Sequence, residues 1–536
     1  MRRTRTGRRR LSATATLLCA LMLSAVAFGS CSRPVEIVVS VEESAEGRWR
    51  TLLDAYPPPE AFDLVEPDDA ATDARPAIRL ARRLAPAIES TPTRRVLERR
   101  WLAPAAPLWQ ETPASRAVAS PAGDPGELVP LVDIGLPLTA RPAGGLYPDH
   151  PDYPLVDGLI VELDLQALGL EPDDERRVAL SAWFASLPVS EARAPEVVWI
   201  GGAGDLMVAR GVTRLLDRPD GLEVVFSDVL PLMREVDFLL GNLEGAVTVR
   251  GEPLSKGFTF RFHPRVLDPL ARAGFDYVSV VNNHSYDYGE VGFLDTLAWL
   301  EQSPIGTSGV GRDLEEAGRA YRTMVAGDGP ATDAPGGVEA DAGAAPDRTA
   351  AAGLPVAVLS AGAYPVERSG FDGARTTAAA ADRPGVLWAD PRNPTAQEAA
   401  LEAMRREFGR ESFDIVMVHG GAEWATAPSQ AQRELYRSYV DAGADLVLGH
   451  HSHVVQGFES YRGALIAYSL GNFVFPGMFV TEFGEESVLL RVGIVDGAIR
   501  YVEPVPVRID HQLLSLDPDG RQLPRMLEGT RALHGE

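Results

Sequence analysis

Cysteine is nearly missing from this chain. Among 536 residues only Cys19 and Cys31 are cysteines, both at the N-terminal end. The body of the chain therefore has no thiol for an internal disulfide or a thiolate metal site. Positive charge is the second scarcity: Lys and Arg number 51 against 75 Asp and Glu, a formal charge of −24. That balance excludes a general binder of nucleic acid or anionic lipid, because phosphate backbones would be repelled. Long apolar runs are also rare, with a single one at residues 11–28. What remains is 45% apolar and 24% charged, the composition of a globular chain too long for one ordinary core, so two domains are expected. No internal repeat is present.

The exceptional run has its own meaning. Arginines at 2, 3, 5, 8, 9 and 10 precede it, and Gly29-Ser30-Cys31 closes it. A basic start, an apolar middle and a small-residue end form an export signal. The closing residues resemble a bacterial lipobox, with Phe28 where leucine is usual. Residues 1–31 are thus expected to be a lipoprotein signal, with Cys31 the site of lipidation and the chain held outside the cytoplasmic membrane. An uncleaved anchor is the alternative, since the run approaches spanning length.

Beyond it the chain has two textures. Residues 32–190 are rich in Pro, Ala and Arg. They read as a small α/β domain of unassigned role, with strands near 35–41 and 158–163 and helices near 75–85 and 177–187. From about 195 to 510, short apolar runs alternate with helical stretches at 264–273, 290–301, 394–408 and 429–442. That alternation predicts a layered α/β fold whose strands are buried on both faces. Residues 326–352, full of Gly, Ala, Pro and Asp, read as a flexible insertion, and 511–536 as a tail.

Polar residues collect just after the predicted strands. G-A-G-D-L-M carries Asp205, G-N-L-E-G carries Asn242 and Glu244, and V-N-N-H-S-Y-D-Y-G carries Asn283, His284 and Asp287. V-H-G-G-A-E-W carries His419, and L-G-H-H-S-H carries His450, His451 and His453, so five of nine histidines sit at strand ends. In layered α/β folds those ends share one rim, where ligands bind. Carboxylates, carboxamides and imidazoles on one rim make a site for a hard or borderline divalent ion. Taken singly, each has a blander reading: Asp205 a turn cap, Glu244 an arginine partner, His419 a packed imidazole. Arg210, Lys256 and Arg261 lie near these motifs, each a solvated surface cation or a contact for anionic substrate.

Taken in order, G-D, N-L-E-G, N-N-H-x-x-D-Y-G, H-G-x-E, G-H-H-x-H-V and Y-S-L-G-N-F-V-F resemble the CapA family of capsule and poly-γ-glutamate synthesis proteins. The resemblance spans roughly 197–480. It implies a four-layer α/β/β/α sandwich like that of calcineurin-type metallophosphoesterases, binding two divalent ions (Mn, Fe, Zn or Mg). On that pattern Asp205 and His453 ligate the first ion, Asn283, His419 and His451 the second, and Glu244 bridges them. His284 becomes the proton donor, with Asn242, Asp287, His450 and Asn472 in support. Met207 stands where phosphoesterases usually carry a histidine, and Glu244 where the bridging aspartate sits. The implied partners are a phosphoester or an anionic surface polymer and membrane proteins of polymer synthesis. The implied activity is metal-dependent hydrolysis; a surface scaffold with a structural metal is the alternative.

Overall fold

The computed structural model describes residues 35–41, 46–59, 62–65, 78–84, 91–92, 94–108, 128–131, 134, 136, 138–140, 147, 156–192, 194–327, 353–409 and 411–535. The expected signal with Cys31, and all but the first two residues of the 326–352 insertion, lie outside these. Described residues fall into two compact units. The smaller draws on the stretches 35–81, 90–95 and 160–188, the larger on 82–89, 96–159 and 189–536.

In the smaller unit the strand Val35–Val41 pairs in parallel with Phe62–Val65 and with Ile78–Leu84. The last of these was expected to be a helix. Ile78 and Leu80 are buried while Arg79 between them is exposed, a period of two that suits a strand and not a helix. The helix Glu175–Ser186 forms as expected, started by Asp174, whose Oδ1 accepts from Arg176 N at 2.9 Å.

Two sheets make the larger unit. One runs Phe275–Ser279, Phe238–Leu243, Val198–Leu206, Glu486–Val495, Ala498–Asp510, Leu513–Leu516, with Asn472–Val474 also paired to Val198–Leu206. The other runs Tyr321–Val325, Leu354–Ala363, Phe413–Gly420, Leu446–His450, Ala464–Ala467, Phe458–Tyr461. Side-chain alternation sorts the strands into layers. Ile200, Leu240 and Leu490 from the first sheet share one apolar cluster with Val358, Met417 and Leu448 from the second. Their strand neighbours Trp199, Leu239 and Leu489 face a different cluster, filled by Val225, Phe226, Leu270, Phe293 and Leu297 of three helices. Leu359, Val418 and Val447 face a third, built with Leu401, Met404, Leu435 and Tyr439. The result is helix, sheet, sheet, helix: the four-layer α/β/β/α sandwich the motifs implied.

The helices Pro394–Glu407 and Gln430–Asp441 begin where side chains cap them, Asn393 Oδ1 accepting from Ala396 N and Ser429 Oγ from Gln432 N, each at 3.2 Å. Both bury residues at helical spacing against the sheet.

The larger unit also reaches back past the boundary expected near 190. Ala103, Leu131 and Ile134 join the cluster of Trp199, and the Tyr147 ring packs edge-on to Trp199 at 4.9 Å and Tyr501 at 5.3 Å. The expected tail is structured as well. Leu513–Leu516 pairs with the Ala498–Asp510 strand, and the helix Gln522–His534 buries Met526 and Leu527 in the inter-sheet core. No described helix is long and apolar enough to cross a membrane.

Candidate metal centre

Register assembles the site. The parallel pairing of Val198–Leu206 with Phe238–Leu243 sets Asp205 beside Asn242, and Asn472 pairs with Asp205 from the other side. In the facing sheet His419 pairs with His450. Both strands need a glycine just before their functional ends. A Cβ on Gly204 would run into the Gly471 carbonyl, and one on Gly449 into that of Tyr468. After His450 the chain turns with His451 and His453 both in left-handed backbone, at φ 88° and 58°. Side-chain-bearing residues adopt that region rarely, and such strain clusters at functional sites.

All the expected ligands, Asp205, Glu244, Asn283, His419, His451 and His453, come together with His284, and all are buried. His453 Nδ1 lies 3.2 Å from Asp205 Oδ2 and 2.9 Å from Asn472 Oδ1. Across the rim, His419 Nε2 lies 2.9 Å from Asn283 Oδ1 and 3.1 Å from His451 Nδ1. Glu244 stands between the groups: its Oε1 is 3.9 Å from Nε2 of both His453 and His419, and 3.8 Å from His284 Nε2. Behind them, Asn242 Nδ2 donates to Asp205 Oδ1 at 2.8 Å and lies 3.2 Å from His419 Nδ1. His450 is turned away, its Nε2 within 3.1 Å of the Ala203 carbonyl, so it ties one sheet to the other.

These groups fit a cation. Both oxygens of the fully buried Glu244 carboxylate, and His451 Nε2, have no hydrogen-bond partner; buried polar atoms are seldom left so without an ion or water to meet them. Asp205, Glu244 and His453 can each present a ligand atom within 4.8 Å of the others. Burial lifts the Glu244 carboxyl well above the usual range, and the charges of Asp205, Glu423 and Asp287 add to the lift against His453. Burial also acts to raise Asp205, but the hydrogen bond from His453 and the nearby His450 and His453 charges bring it below the usual range. Burial and neighbouring imidazoles hold His419 far down and His451 at about 3. Both rings are thus neutral at physiological pH, with lone pairs to give. His453 goes the other way, to about 9, because the Glu244 and Asp205 charges outweigh its burial.

His284 is held differently. Its Nδ1 lies 2.6 Å from Asp287 Oδ2, and the Phe260 ring covers it at 4.1 Å. Burial lowers its pKa and Asp287 opposes the fall.

Sequence reasoning missed how Asp287 and Asn283 are themselves held. Lys256, grouped with surface cations, is buried, its side chain 1% exposed. Its Nζ meets three acceptors: the Asn283 carbonyl at 2.6 Å, Asp287 Oδ1 at 2.8 Å and Glu367 Oε1 at 2.8 Å. Glu367 Oε1 also accepts from Asn283 Nδ2 at 3.1 Å, which turns Asn283 Oδ1 toward His419. A readable signal existed, since Lys256 is the only lysine in a chain that otherwise uses arginine. An ammonium can aim three N–H bonds at three oxygens, where a planar guanidinium cannot. Phe260, Phe475 and Trp424, whose rings line His284 and His453, carried no such signal.

A four-layer sandwich with carboxylates, carboxamides and imidazoles converging at strand carboxyl ends defines a metallophosphoesterase-like protein. Comparison with known proteins narrows the class. Residues 200–477 match the family described as bacterial capsule synthesis protein PGA_cap, and the chain belongs to that family. It is 30% identical over 297 residues to the PGA biosynthesis protein CapA of Bacillus subtilis, covering 54% of this chain and 67% of that one. Against the capsule biosynthesis protein CapA of Bacillus anthracis the figures are 27% over 312 residues, 57% and 66%. Among solved structures, a phosphatase of Mycoplasma pneumoniae aligns over 61% of this chain and 97% of its own at 11% identity and a TM-score of 0.33, too low to carry any argument here.

Proposed function

We propose that this chain is an exported, lipid-anchored protein of capsule or poly-γ-glutamate-type polymer synthesis that hydrolyses a phosphoester or a polymer amide with two divalent ions. The observation that carries the reading is Glu244: a buried carboxylate with neither oxygen partnered, equidistant from His419 and His453. Asp205, His453 and Glu244 would hold one ion; Asn283, His419, His451 and the same Glu244 the other. Ions held there would supply a water activated at neutral pH and electrostatic stabilisation of a phosphoryl or carbonyl oxygen. The chain's own residues do the rest. Asp287 fixes the His284 ring by accepting from Nδ1–H and stabilises its charged form, Phe260 shields its face from water, and the protonated ring would give the Nε2 proton to the leaving group, returning to neutral imidazole. Membrane proteins of polymer synthesis are the expected partners. Anchoring rests on Gly29-Ser30-Cys31, and intact-mass analysis should find Cys31 acylated at the N-terminus of the native protein.

The test uses the full chain, reconstituted with Mn²⁺, Zn²⁺ or Mg²⁺, on an aryl phosphate and on a γ-glutamyl oligomer. Turnover of at least one is expected. His284→Ala should keep its metal while the rate drops by about 10²–10⁴-fold. Full metal occupancy with no turnover of either substrate would leave the scaffold reading. One feature favours that second reading: Met207 is buried in the apolar cluster behind the sheet, so the Asp205 position gains no donor from it.

A further inference from the structure

The loop after the Asp205 strand holds a cation that the mechanism above does not use. Arg210 has left-handed backbone, φ 48°, and its carbonyl accepts from Gln512 Nε2 at 3.2 Å. Its Nη1 donates to the Pro476 carbonyl at 3.0 Å. The guanidinium lies 5.3 Å from the Phe260 ring centre and 6.0 Å from that of Phe258. Phe260 is the ring that covers His284 at 4.1 Å. It also meets Phe475 edge-on at 5.7 Å, and Phe475 packs against His453 at 5.1 Å. One aromatic wall therefore joins Arg210 to both a candidate ligand and the candidate proton donor.

Several arginines of this acidic chain have carboxylates: Arg250 has Asp295, Arg392 has Asp390, Arg437 has Glu459. Arg210 is exposed and has no carboxylate partner among the described residues. The contacts with Phe258 and Phe260 take up no N–H donor, so beside the Nη1 bond to Pro476 the guanidinium keeps its Nε and Nη2 edge for a carboxylate or phosphate. Lys256 cannot serve this purpose, because its three donors are consumed. Arg261 is exposed too, stacked on Tyr288 at 4.4 Å, but it follows Phe260 along an extended segment and so faces the opposite side.

We propose that Arg210 is a docking residue for an oxyanion, carboxylate or phosphate, of the molecule that enters the Glu244 site, held beside the group that reacts. The proposal takes its substrate from the hydrolase reading but is tested by binding. Isothermal titration of the full, Mn²⁺-loaded chain would use two probes, tetra-γ-glutamate and inorganic phosphate, with wild type, Arg210→Gln and Arg261→Gln. Losing a charge-assisted fork should weaken at least one probe about tenfold or more in Arg210→Gln; which one responds identifies the source of the oxyanion. Arg261→Gln should stay within about twofold of wild type by the same scale, and bound metal should be equal in all three. Equal weakening in both variants would show diffuse charge attraction and overturn the proposal. So would unchanged binding in Arg210→Gln, or no binding of either probe by wild type. Arg210-dependent binding without turnover would sink the hydrolase reading alone, leaving Arg210 as the anion contact of a scaffold.

Discussion

Lys256→Met keeps the reach of the side chain and removes its charge and three donors. Two carboxylates and a carbonyl that now converge on Nζ would face one another without the ammonium between them. Removing one partner from a buried pair costs about 3–5 kcal/mol. Asp287, fully buried, carries most of that cost, although Phe260 N at 2.6 Å and His284 still hold its Oδ2. Glu367 is 16% exposed, so water screens it and its share falls toward the ~1 kcal/mol of a surface pair. The expected loss is therefore about 3 kcal/mol. It would be read as a shift of the urea midpoint at unchanged slope, on the transition that reports Trp199 and Trp388 in the larger unit. Lys256→Arg keeps the charge but brings a planar fork to a site closed by the Phe371 ring 4.2 Å from Nζ; it should still lose roughly 1 kcal/mol or more. A loss under about 1 kcal/mol in Lys256→Met would refute the network as a structural element.

Two further outcomes follow from the same geometry. The group around His419 has four candidate ligands and the Asp205 group three, so His419→Ala should lose more bound metal on dialysis than Asp205→Asn; equal losses would remove the division of ligands. Asp414 titrates at about 6, raised chiefly by burial, against hydrogen bonds from Ser412 and Gly409 and with some help from the Asp445 charge. A carboxyl raised on folding binds its proton more readily in the folded state, so its contribution is favourable at low pH and is lost as pH climbs from about 4 to about 6. Asp414→Asn should flatten the urea midpoint across that window, and an unchanged slope would contradict the assignment.

Much of this arrangement was legible because parallel strands put their carboxyl ends on one rim. Asp205, Glu244, Asn283, His419, His451 and His453 could be grouped from that rule with no knowledge of register. Residues 75–85 misled because Ile78, Leu80, Ala81 and Leu84 satisfy a helical spacing as well as an alternating one, and only pairing with Val39–Val41 decides. The helix at 522–534 was passed over, its few apolar residues counting only once Met526 and Leu527 meet the sheets. Glu367 belongs to a loop between strand and helix, and its grip on Asn283 exists only in three dimensions. The same holds for Phe260 and Phe475, which look like ordinary core residues until their rings are seen against His284 and His453.

The central claim is that Glu244 sits at the heart of a metal centre. Metal content per chain, measured by mass spectrometry after dialysis for wild type and Glu244→Gln, tests it most directly. Wild type should retain a divalent ion at near-stoichiometric level, and Glu244→Gln should lose most of it while its circular dichroism stays that of the folded chain. A folded wild type that retains no ion after exposure to Mn²⁺, Fe²⁺, Zn²⁺ and Mg²⁺, or a Glu244→Gln variant that retains as much as wild type, would contradict the account.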